Sequence, residues 1–368
     1  MANHEKGGSM RLYLANIESW TFPNRGAEIL SEGGLEVGGN WLDPPFHREL
    51  EQFSPDVVVY APHRRVDALV LQREDLLRTP TVLWALYPDY LTGWDRERNE
   101  HTDGFLESVA ALMPYFQRHV AQSMFTKLLL EERIDRYQFE VCFLGIDLEG
   151  IDLCQRRNGA RRSELTVLWQ HRWRTDKNFQ GALEVIESLA AKHRDVTFLV
   201  GREEDWDEPF WVPQWLKDCY ADARPRLERL GNVQFVSRFP TQIAYWRFLS
   251  KIDIAFSCSY HETFGIAMLE AAYAGVSCVA PESVCYPEIH AGAVLVDHSQ
   301  IVSAVDRLIL ESRLRAEVAR RCRENAGRYD VRITAERLAG LVDEVGRDVE
   351  MPRMPRGDRD GVISIGRR

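Results

Sequence analysis

Short apolar runs alternate with helical patterns along most of the chain. In the first half, apolar runs predict strands at residues 11–15, 57–61, 81–86 and 139–144. In the second half, they predict strands at residues 166–170, 196–200, 233–236, 252–256, 276–280 and 293–296. Strands that alternate with helices favour an α/β protein with parallel sheets.

Helical patterns occupy the intervals between these strands. A helix is predicted at residues 124–132, where the hydroxyl of Ser123 suits an N-cap residue. In the second half, the spacing of apolar residues predicts helices at residues 179–193, 215–230, 241–250, 265–274, 313–328 and 334–349. The pattern of a parallel α/β protein therefore extends over both halves and is clearer in the second.

Length and composition divide the chain into segments. At 368 residues it is long for a single core, so two domains are expected. We predict an N-terminal α/β domain at residues 10–148, a charged linker at 149–164 and a C-terminal α/β domain at 165–330. Residues 331–350 are predicted as a helix that packs back toward the N-terminal domain. Residues 351–368 lack a core-forming pattern and are predicted to be disordered.

Composition and charge argue against several classes of protein. No apolar run approaches the length of a membrane span and the N-terminus has no signal-peptide core, so a cytoplasmic protein is expected. The formal net charge of −10 argues against a phosphate-rich partner such as nucleic acid. The seven cysteines form no Cys-x-x-Cys pair, and we interpret them as small buried hydrophobes.

Two glutamates mark the main candidate site. Glu262 and Glu270 flank a Phe-Gly step directly after the predicted strand at residues 252–256. Glu262 is thus expected in the strand-to-helix loop and Glu270 about two turns along the helix. Carboxylates can hold hydroxyl groups, and the peptide N–H groups at the helix N-terminus can hold a phosphate. The arrangement indicates a site for a nucleotide-activated sugar.

A second motif follows the predicted strand at residues 166–170. Arg172 and Lys177 lie in the loop after that strand, and such loops line the ligand crevice of a doubly wound sheet. Arginine offers a fork for phosphate oxygens and lysine a point charge. An Arg and a Lys in a loop are more often solvated surface, but their placement beside the glutamate loop favours a diphosphate site.

Together these residues resemble a known family. Arg172, Lys177, Glu262 and Glu270 have the order and spacing found in retaining nucleotide-sugar glycosyltransferases of the GT-B fold, family 4. The resemblance covers about residues 165–300. Within the family, the residues around both motifs look most similar to the enzymes that mannosylate queuosine in transfer RNA.

Two shorter stretches and one departure complete the comparison with that family. Residues 122–127 and 145–147 are typical of the approach to the interdomain linker, and residues 286–289 match the queuosine enzymes. Position 263 departs from the pattern, because most members have a second glycine where this chain has Thr263. The larger side chain is expected to narrow the sugar pocket slightly.

The resemblance implies a role for each matching residue. Arg172 and Lys177 would bind the donor diphosphate and neutralise the charge that develops on the leaving phosphate. Glu262 would hold hydroxyls of the transferred sugar, and Glu270 would accept hydrogen bonds from the ribose hydroxyls. We therefore predict Arg172, Lys177 and Glu262 as catalytic. The predicted donor-binding residues are His261, Thr263, Phe264, Gly265, Ile266, Glu270 and Arg238.

Several of these residues also have a structural interpretation. His261 suits either a loop residue or a wall of the site, and Arg238 either the base pocket or the surface. A solvated helix position is the alternative for Glu270, but its neighbours are apolar and an unpaired carboxylate among them would be costly.

The resemblance also implies an architecture and a reaction. Two Rossmann-like domains would face each other across a cleft that holds the active site. A hexose would move from a nucleotide diphosphate sugar to an acceptor with retention at the anomeric carbon, and GDP-mannose is the favoured donor. No obligatory metal or other cofactor is expected, because GT-B enzymes stabilise the leaving group with side chains and dipoles.

Two kinds of acceptor fit the sequence. The acidic chain, and a first half that does not follow the queuosine enzymes, favour a small molecule over a modified tRNA nucleoside. Aromatic residues of the first half suit either stacking on an acceptor or a core: Trp41, Trp84, Tyr87, Tyr90 and Trp94. A GT-B epimerase or phosphorylase would need motifs that we do not find. A non-catalytic nucleotide-sugar sensor or scaffold is the second alternative.

Overall fold

Two parallel β-sheets, one in each half of the chain, form the framework of the computed structural model. The structure describes residues 9–15, 25–40, 53–61, 79–85, 113, 116–133, 136–156, 164–201, 214–237 and 239–347. Within these residues each sheet has six strands, and every pairing is parallel. The predicted α/β class is confirmed.

The N-terminal sheet has the strand order β2-β1-β3-β4-β5-β6. Its strands are β1 (Arg11–Ala15), β2 (Glu36–Asn40), β3 (Val57–Tyr60), β4 (Thr81–Ala85), β5 (Arg118–Ala121) and β6 (Glu140–Val141). The described helices of this half are α1 (Ala27–Glu32), α2 (Met124–Arg133) and α3 (Leu148–Arg156). Within the part of the chain that the structure describes, the strand predicted at residues 139–144 is paired only over β6, which lies at the sheet edge beside β5.

The C-terminal sheet has the strand order β12-β11-β10-β7-β8-β9. Its strands are β7 (Leu165–Trp169), β8 (Val196–Gly201), β9 (Val233–Val236), β10 (Ile254–Phe256), β11 (Ser277–Pro281) and β12 (Val294–Val296). The helices are α4 (Phe179–Lys192), α5 (Gln214–Glu228), α6 (Gln242–Leu249), α7 (Ile266–Tyr273), α8 (Tyr286–Ile289), α9 (Ile301–Leu310), α10 (Ser312–Ala326) and α11 (Val331–Arg347).

Both sheets have buried strands because helices cover their faces, which explains why the strands read as continuous apolar runs. All four residues of β3 and all five of β11 are buried. The order of the C-terminal sheet reverses between β7 and β10, which pair with Ala255 opposite Leu168. The loops that follow these two strands therefore meet at the switch point of the sheet, the usual ligand crevice of this architecture.

The connection between the halves is partly helical. The predicted linker at residues 149–164 begins within α3, which packs against α6 and α7 of the C-terminal half, and residues 157–163 lie outside the described residues. Gly150 lets this helix approach α6 closely, since a Cβ at this position would clash with the ring of Trp246.

The last described helix returns to the N-terminal half. α11 packs on α1, β3 and β4. Before it, Ile146 accepts a hydrogen bond from the Val331 amide at 3.0 Å and donates its own to Tyr329 O at 2.8 Å. The predicted disordered tail at residues 351–368 lies outside the described residues. Among the residues described, no helix combines the length and apolar character needed to cross a membrane.

Candidate active site

Lys177 and Glu262 form an ion pair at the switch point of the C-terminal sheet. Lys177 Nζ lies 3.1 Å from Glu262 Oε2 and donates to the carbonyl oxygen of His261 at 2.8 Å. Both side chains are only 15% exposed. Glu262 Oε1 also accepts from the Thr263 amide at 3.1 Å. The structure thus brings a predicted phosphate-binding cation and a predicted sugar-binding carboxylate into contact.

Asp176 joins the loops after β7 and β10. Its carbonyl oxygen accepts from the amides of Tyr260 at 2.9 Å and His261 at 3.0 Å. Its carboxylate accepts from Arg174 Nε at 2.8 Å and lies 3.5 Å from Lys177 Nζ. These bonds hold the two loops together, although Lys177 is 84 residues from His261 and 85 residues from Glu262 in the sequence.

The loop after β7 is anchored by a buried tryptophan. The Trp173 ring packs edge-on against Tyr220 with 4.7 Å between centroids, and its Nε1 donates to Gly201 O at 2.9 Å. At the other end, Asn178 adopts a left-handed conformation and caps α4 by accepting from the Gly181 amide at 3.1 Å. Arg172, directly before Trp173, is exposed and has no hydrogen bond or ion pair to the residues described.

Gly265 sets the start of α7. Its φ of +74° lies in the left-handed region that favours glycine, and an added Cβ would lie 2.7 Å from His290 Nε2. His290 Nε2 donates to the carbonyl oxygen of Phe264 at 2.9 Å, and this hydrogen bond anchors the loop that precedes α7. No side chain of the described residues caps this helix, so its first N–H groups are available to an anion.

Glu270 occupies a buried position on α7. It is 4% exposed, and its Oε1 accepts from Trp246 Nε1 at 2.9 Å and from Gln242 Nε2 at 3.0 Å. Burial raises the pKa of this carboxyl to about 7, and the two hydrogen bonds oppose that shift in part. Because both donors bind Oε1, the second oxygen of Glu270 is left for another donor. This is the end of the site predicted to hold the ribose.

The raised pKa of Glu270 predicts a pH dependence of stability. In the unfolded chain a glutamate titrates near pH 4.3, so between about pH 4.3 and 7 the folded state binds more protons. The contribution of Glu270 to the free energy of unfolding is therefore fully present below this window and is lost as pH rises through it. Urea unfolding at pH 5 and pH 8 should show that the wild type loses more stability than Glu270→Gln.

In the comparison with Glu270→Gln, the contributions of the other titrating groups to the pH dependence of stability cancel, because these groups are common to both proteins. A glutamine carbonyl can keep both hydrogen bonds, so the variant should fold in the same way. Parallel losses of stability in the two proteins would contradict the raised pKa.

Two histidines near the ion pair, the half-buried His171 and the buried His290, were not assigned roles from sequence. His171 Nε2 and His290 Nδ1 are enclosed and have no hydrogen-bond partner among the residues described. Burial lowers the pKa of each imidazole to about 4, so both are neutral near pH 7. The sequence places His171 in the phosphate motif, but nothing in its spacing shows that one ring nitrogen is buried without a partner.

The remaining predicted residues are placed as follows. The backbone of Thr263 faces the N-terminal half, where its carbonyl oxygen accepts from Ser123 Oγ at 3.3 Å. Phe264 is buried, and Ile266 is half-buried at the start of α7. His261 is 1% exposed and touches Lys177 through its carbonyl oxygen, whereas Arg238 lies outside the described residues.

One of the predicted stacking aromatics belongs to the core. Trp84 is fully buried, and its Nε1 donates to Cys142 O at 3.2 Å, so it supports the N-terminal sheet and cannot stack on an acceptor. The other four aromatics, Trp41, Tyr87, Tyr90 and Trp94, lie outside the described residues.

Known proteins are similar to this chain in sequence and in fold. Residues 153–328 match the family model for glycosyl transferases group 1. The chain is 28% identical to a tRNA-queuosine alpha-mannosyltransferase of Drosophila melanogaster over 124 residues, which span 34% of this chain and 30% of that relative.

Solved structures match over nearly the whole chain. Sucrose-phosphate synthase from Thermosynechococcus elongatus superposes with a TM-score of 0.74 at 12% identity, covering 91% of this chain and 99% of that one. HepE from Anabaena, solved in complex with UDP and glucose, gives a TM-score of 0.65 at 16% identity, covering 91% and 100%. The predicted resemblance is confirmed: residues 153–328 match the family model for glycosyl transferases group 1, and the chain shares the GT-B fold of these solved structures.

Proposed function

We propose that this protein transfers a hexose from a nucleoside diphosphate sugar to an acceptor, with retention at the anomeric carbon. The observation that carries the proposal is the Lys177–Glu262 pair, 3.1 Å apart beside the uncapped N-terminus of α7. A cation, a carboxylate and helix N–H groups meet at one crevice. They match the needs of a diphosphate joined to a sugar.

The phosphate end of the donor would be held by positive groups. Lys177, which pairs with Glu262, would also form an ion pair with the leaving phosphate. The exposed guanidinium of Arg172 would bind the diphosphate as well. The first N–H groups of α7 supply further donors. We propose that these groups stabilise the leaving group without an obligatory metal ion.

The sugar and ribose ends would be held by the two carboxylates. Glu262 uses its oxygens for Lys177 and the Thr263 amide, and each carboxylate oxygen can accept a further hydrogen bond from a sugar hydroxyl. Glu270 would accept from the ribose with the oxygen that Trp246 and Gln242 leave unused. Glu262 lies in the loop before α7, whereas Glu270 lies about one turn into this helix rather than two, and this separation is in keeping with an extended donor.

The configuration at the anomeric carbon would be retained because the acceptor attacks on the face of the sugar from which the phosphate leaves. The bond from the anomeric carbon to the phosphate oxygen breaks while the acceptor oxygen forms its bond on the same face. The leaving phosphate takes the proton of the acceptor hydroxyl. In this mechanism Glu262 orients the sugar and forms no covalent bond.

GDP-mannose is the proposed donor. The similarity to a tRNA-queuosine alpha-mannosyltransferase supports mannose, whereas UDP-glucose was bound by HepE, a protein of similar fold. A small-molecule acceptor is proposed over a tRNA nucleoside, because a net charge of −10 opposes binding to a phosphate backbone.

A thermal-shift screen tests the choice of donor. A ligand that binds only the folded state raises the melting temperature, by an amount set by its concentration relative to Kd. We expect GDP and GDP-mannose to raise the melting temperature of the wild type more than UDP, UDP-glucose and ADP-glucose. A larger shift with the UDP pair would replace the proposed donor, and no shift with any nucleotide would contradict a donor site.

A further inference from the structure

A carboxylate of the C-terminal half caps a helix of the N-terminal half. Glu288, on α8, accepts from the Met124 amide at 2.7 Å with Oε1 and from the Phe125 amide at 2.9 Å with Oε2. These amides begin α2, where no earlier turn supplies acceptors. A negative charge at a helix N-terminus is stabilised both by these hydrogen bonds and by the helix dipole.

The start of α2 also contacts the loop between Glu262 and Gly265, which we call the donor loop. Ser123, directly before α2, donates to the carbonyl oxygen of Thr263 at 3.3 Å. Tyr329 donates to the carbonyl oxygen of Glu288 at 3.1 Å, and its ring packs edge-on against Phe264 with 5.8 Å between centroids. The contacts of Glu288, Ser123 and Tyr329 therefore converge on the loop between Glu262 and Gly265.

We propose that Glu288 is a positioning residue that holds the N-terminal half against the donor loop. The proposal rests on the proposed function, because it assigns the loop to the donor sugar. Glu288 acts through α2 and the loop backbone and does not contact the donor itself. Its two oxygens bind two neighbouring amides, so the contact fixes both the separation and the orientation of the two halves at this point.

A carboxylate is required by this geometry. A glutamine has a single acceptor oxygen, and its amide group would face one of the two N–H donors. Glu288→Gln therefore keeps the shape of the side chain but loses one hydrogen bond and creates a donor–donor contact. Glu282→Gln is the matched control, because Glu282 is exposed and its carboxylate has no partner among the described residues.

The first measurement is amide hydrogen exchange in the ligand-free protein. In Glu288→Gln at least one of the Met124 and Phe125 amides should exchange about tenfold faster than in the wild type, the effect of losing one charge-assisted hydrogen bond. The Lys127 amide, which donates to Ser123 O at 2.9 Å, should keep its exchange rate. Glu282→Gln should match the wild type at all three amides.

The second measurement separates positioning from binding. With GDP-mannose, and with UDP-glucose as a second probe, we expect Glu288→Gln to lower kcat for donor hydrolysis by about tenfold. The Kd for GDP should be unchanged, because the nucleotide is held by the C-terminal half. Tyr329→Phe, which removes the bond to the Glu288 carbonyl, should lower kcat in the same direction but by less.

Each alternative result overturns the proposal. Unchanged exchange at Met124 and Phe125 would show that the contact is not formed in solution. Faster exchange with unchanged kcat would show that the contact does not position the loop. A lower melting temperature together with weaker GDP binding and a lower kcat would show a purely structural role for Glu288. If the wild type hydrolyses neither sugar, the proposed function fails on its own, and the exchange result alone decides whether Glu288 holds the two halves together.

Discussion

Lys177→Ala is expected to lower donor turnover by about a hundredfold to a thousandfold, the usual effect of removing one preorganised charge from a transition state. Lys177 Nζ lies 3.1 Å from Glu262 in a side chain that is 15% exposed, so its charge acts in a site with little water. The leaving phosphate gains charge during the reaction, and the loss should therefore appear in kcat. The Kd for GDP should change much less.

The control is a lysine on the surface of the same domain. Lys192, at the end of α4, is 55% exposed and is paired with Asp306 at 2.7 Å. Lys192→Ala should leave turnover within about twofold of the wild type, since exposed ion pairs contribute little. Equal turnover in the Lys177 and Lys192 variants would contradict the assignment of Lys177.

Glu270→Ala is expected to weaken GDP binding by about tenfold to a hundredfold, because a hydrogen bond to a charged group contributes about 1.5–3 kcal/mol. The free carboxylate oxygen of Glu270 is the group assigned to the ribose hydroxyls. At saturating donor, kcat should fall less than in Lys177→Ala. Isothermal titration with GDP measures the first effect, and steady-state hydrolysis measures the second.

Stability must be measured in the same variant. Removing Glu270 leaves Trp246 Nε1 and Gln242 Nε2 without their acceptor, so some loss of melting temperature is expected. Glu282→Ala, which removes an exposed carboxylate, is the control. An unchanged Kd for GDP in a folded Glu270→Ala protein would show that the ribose is held elsewhere.

The donor motifs could be predicted because their chemistry is local. Arg172 and Lys177 follow one buried strand and Glu262 another, and parallel strands bring such loops to one edge of a sheet. Spacing alone also placed Glu270 on the helix after the loop. The sequence therefore predicted that the loops carrying Lys177 and Glu262 meet at one edge of the C-terminal sheet, where the two side chains pair.

The partners of these residues could not be predicted, since they are distant in sequence. Trp246 lies 24 residues from Glu270, and Glu288 lies 164 residues from the Met124 amide that it binds. No periodicity connects such pairs before the fold is known. The two short strands β2 and β5 were missed for another reason: their sequences, EVGGN and RHVA, lack the apolar run of a buried strand.

The measurement that tests the central claim most directly is the release of nucleoside diphosphate from a sugar donor. Purified wild type and Lys177→Ala would be incubated with GDP-mannose and, separately, with UDP-glucose, and the freed GDP or UDP would be quantified by anion-exchange chromatography. We expect the wild type to hydrolyse GDP-mannose slowly but measurably, and Lys177→Ala to do so about a hundredfold or more slowly. Failure of the wild type to bind or hydrolyse either donor would contradict the proposed function.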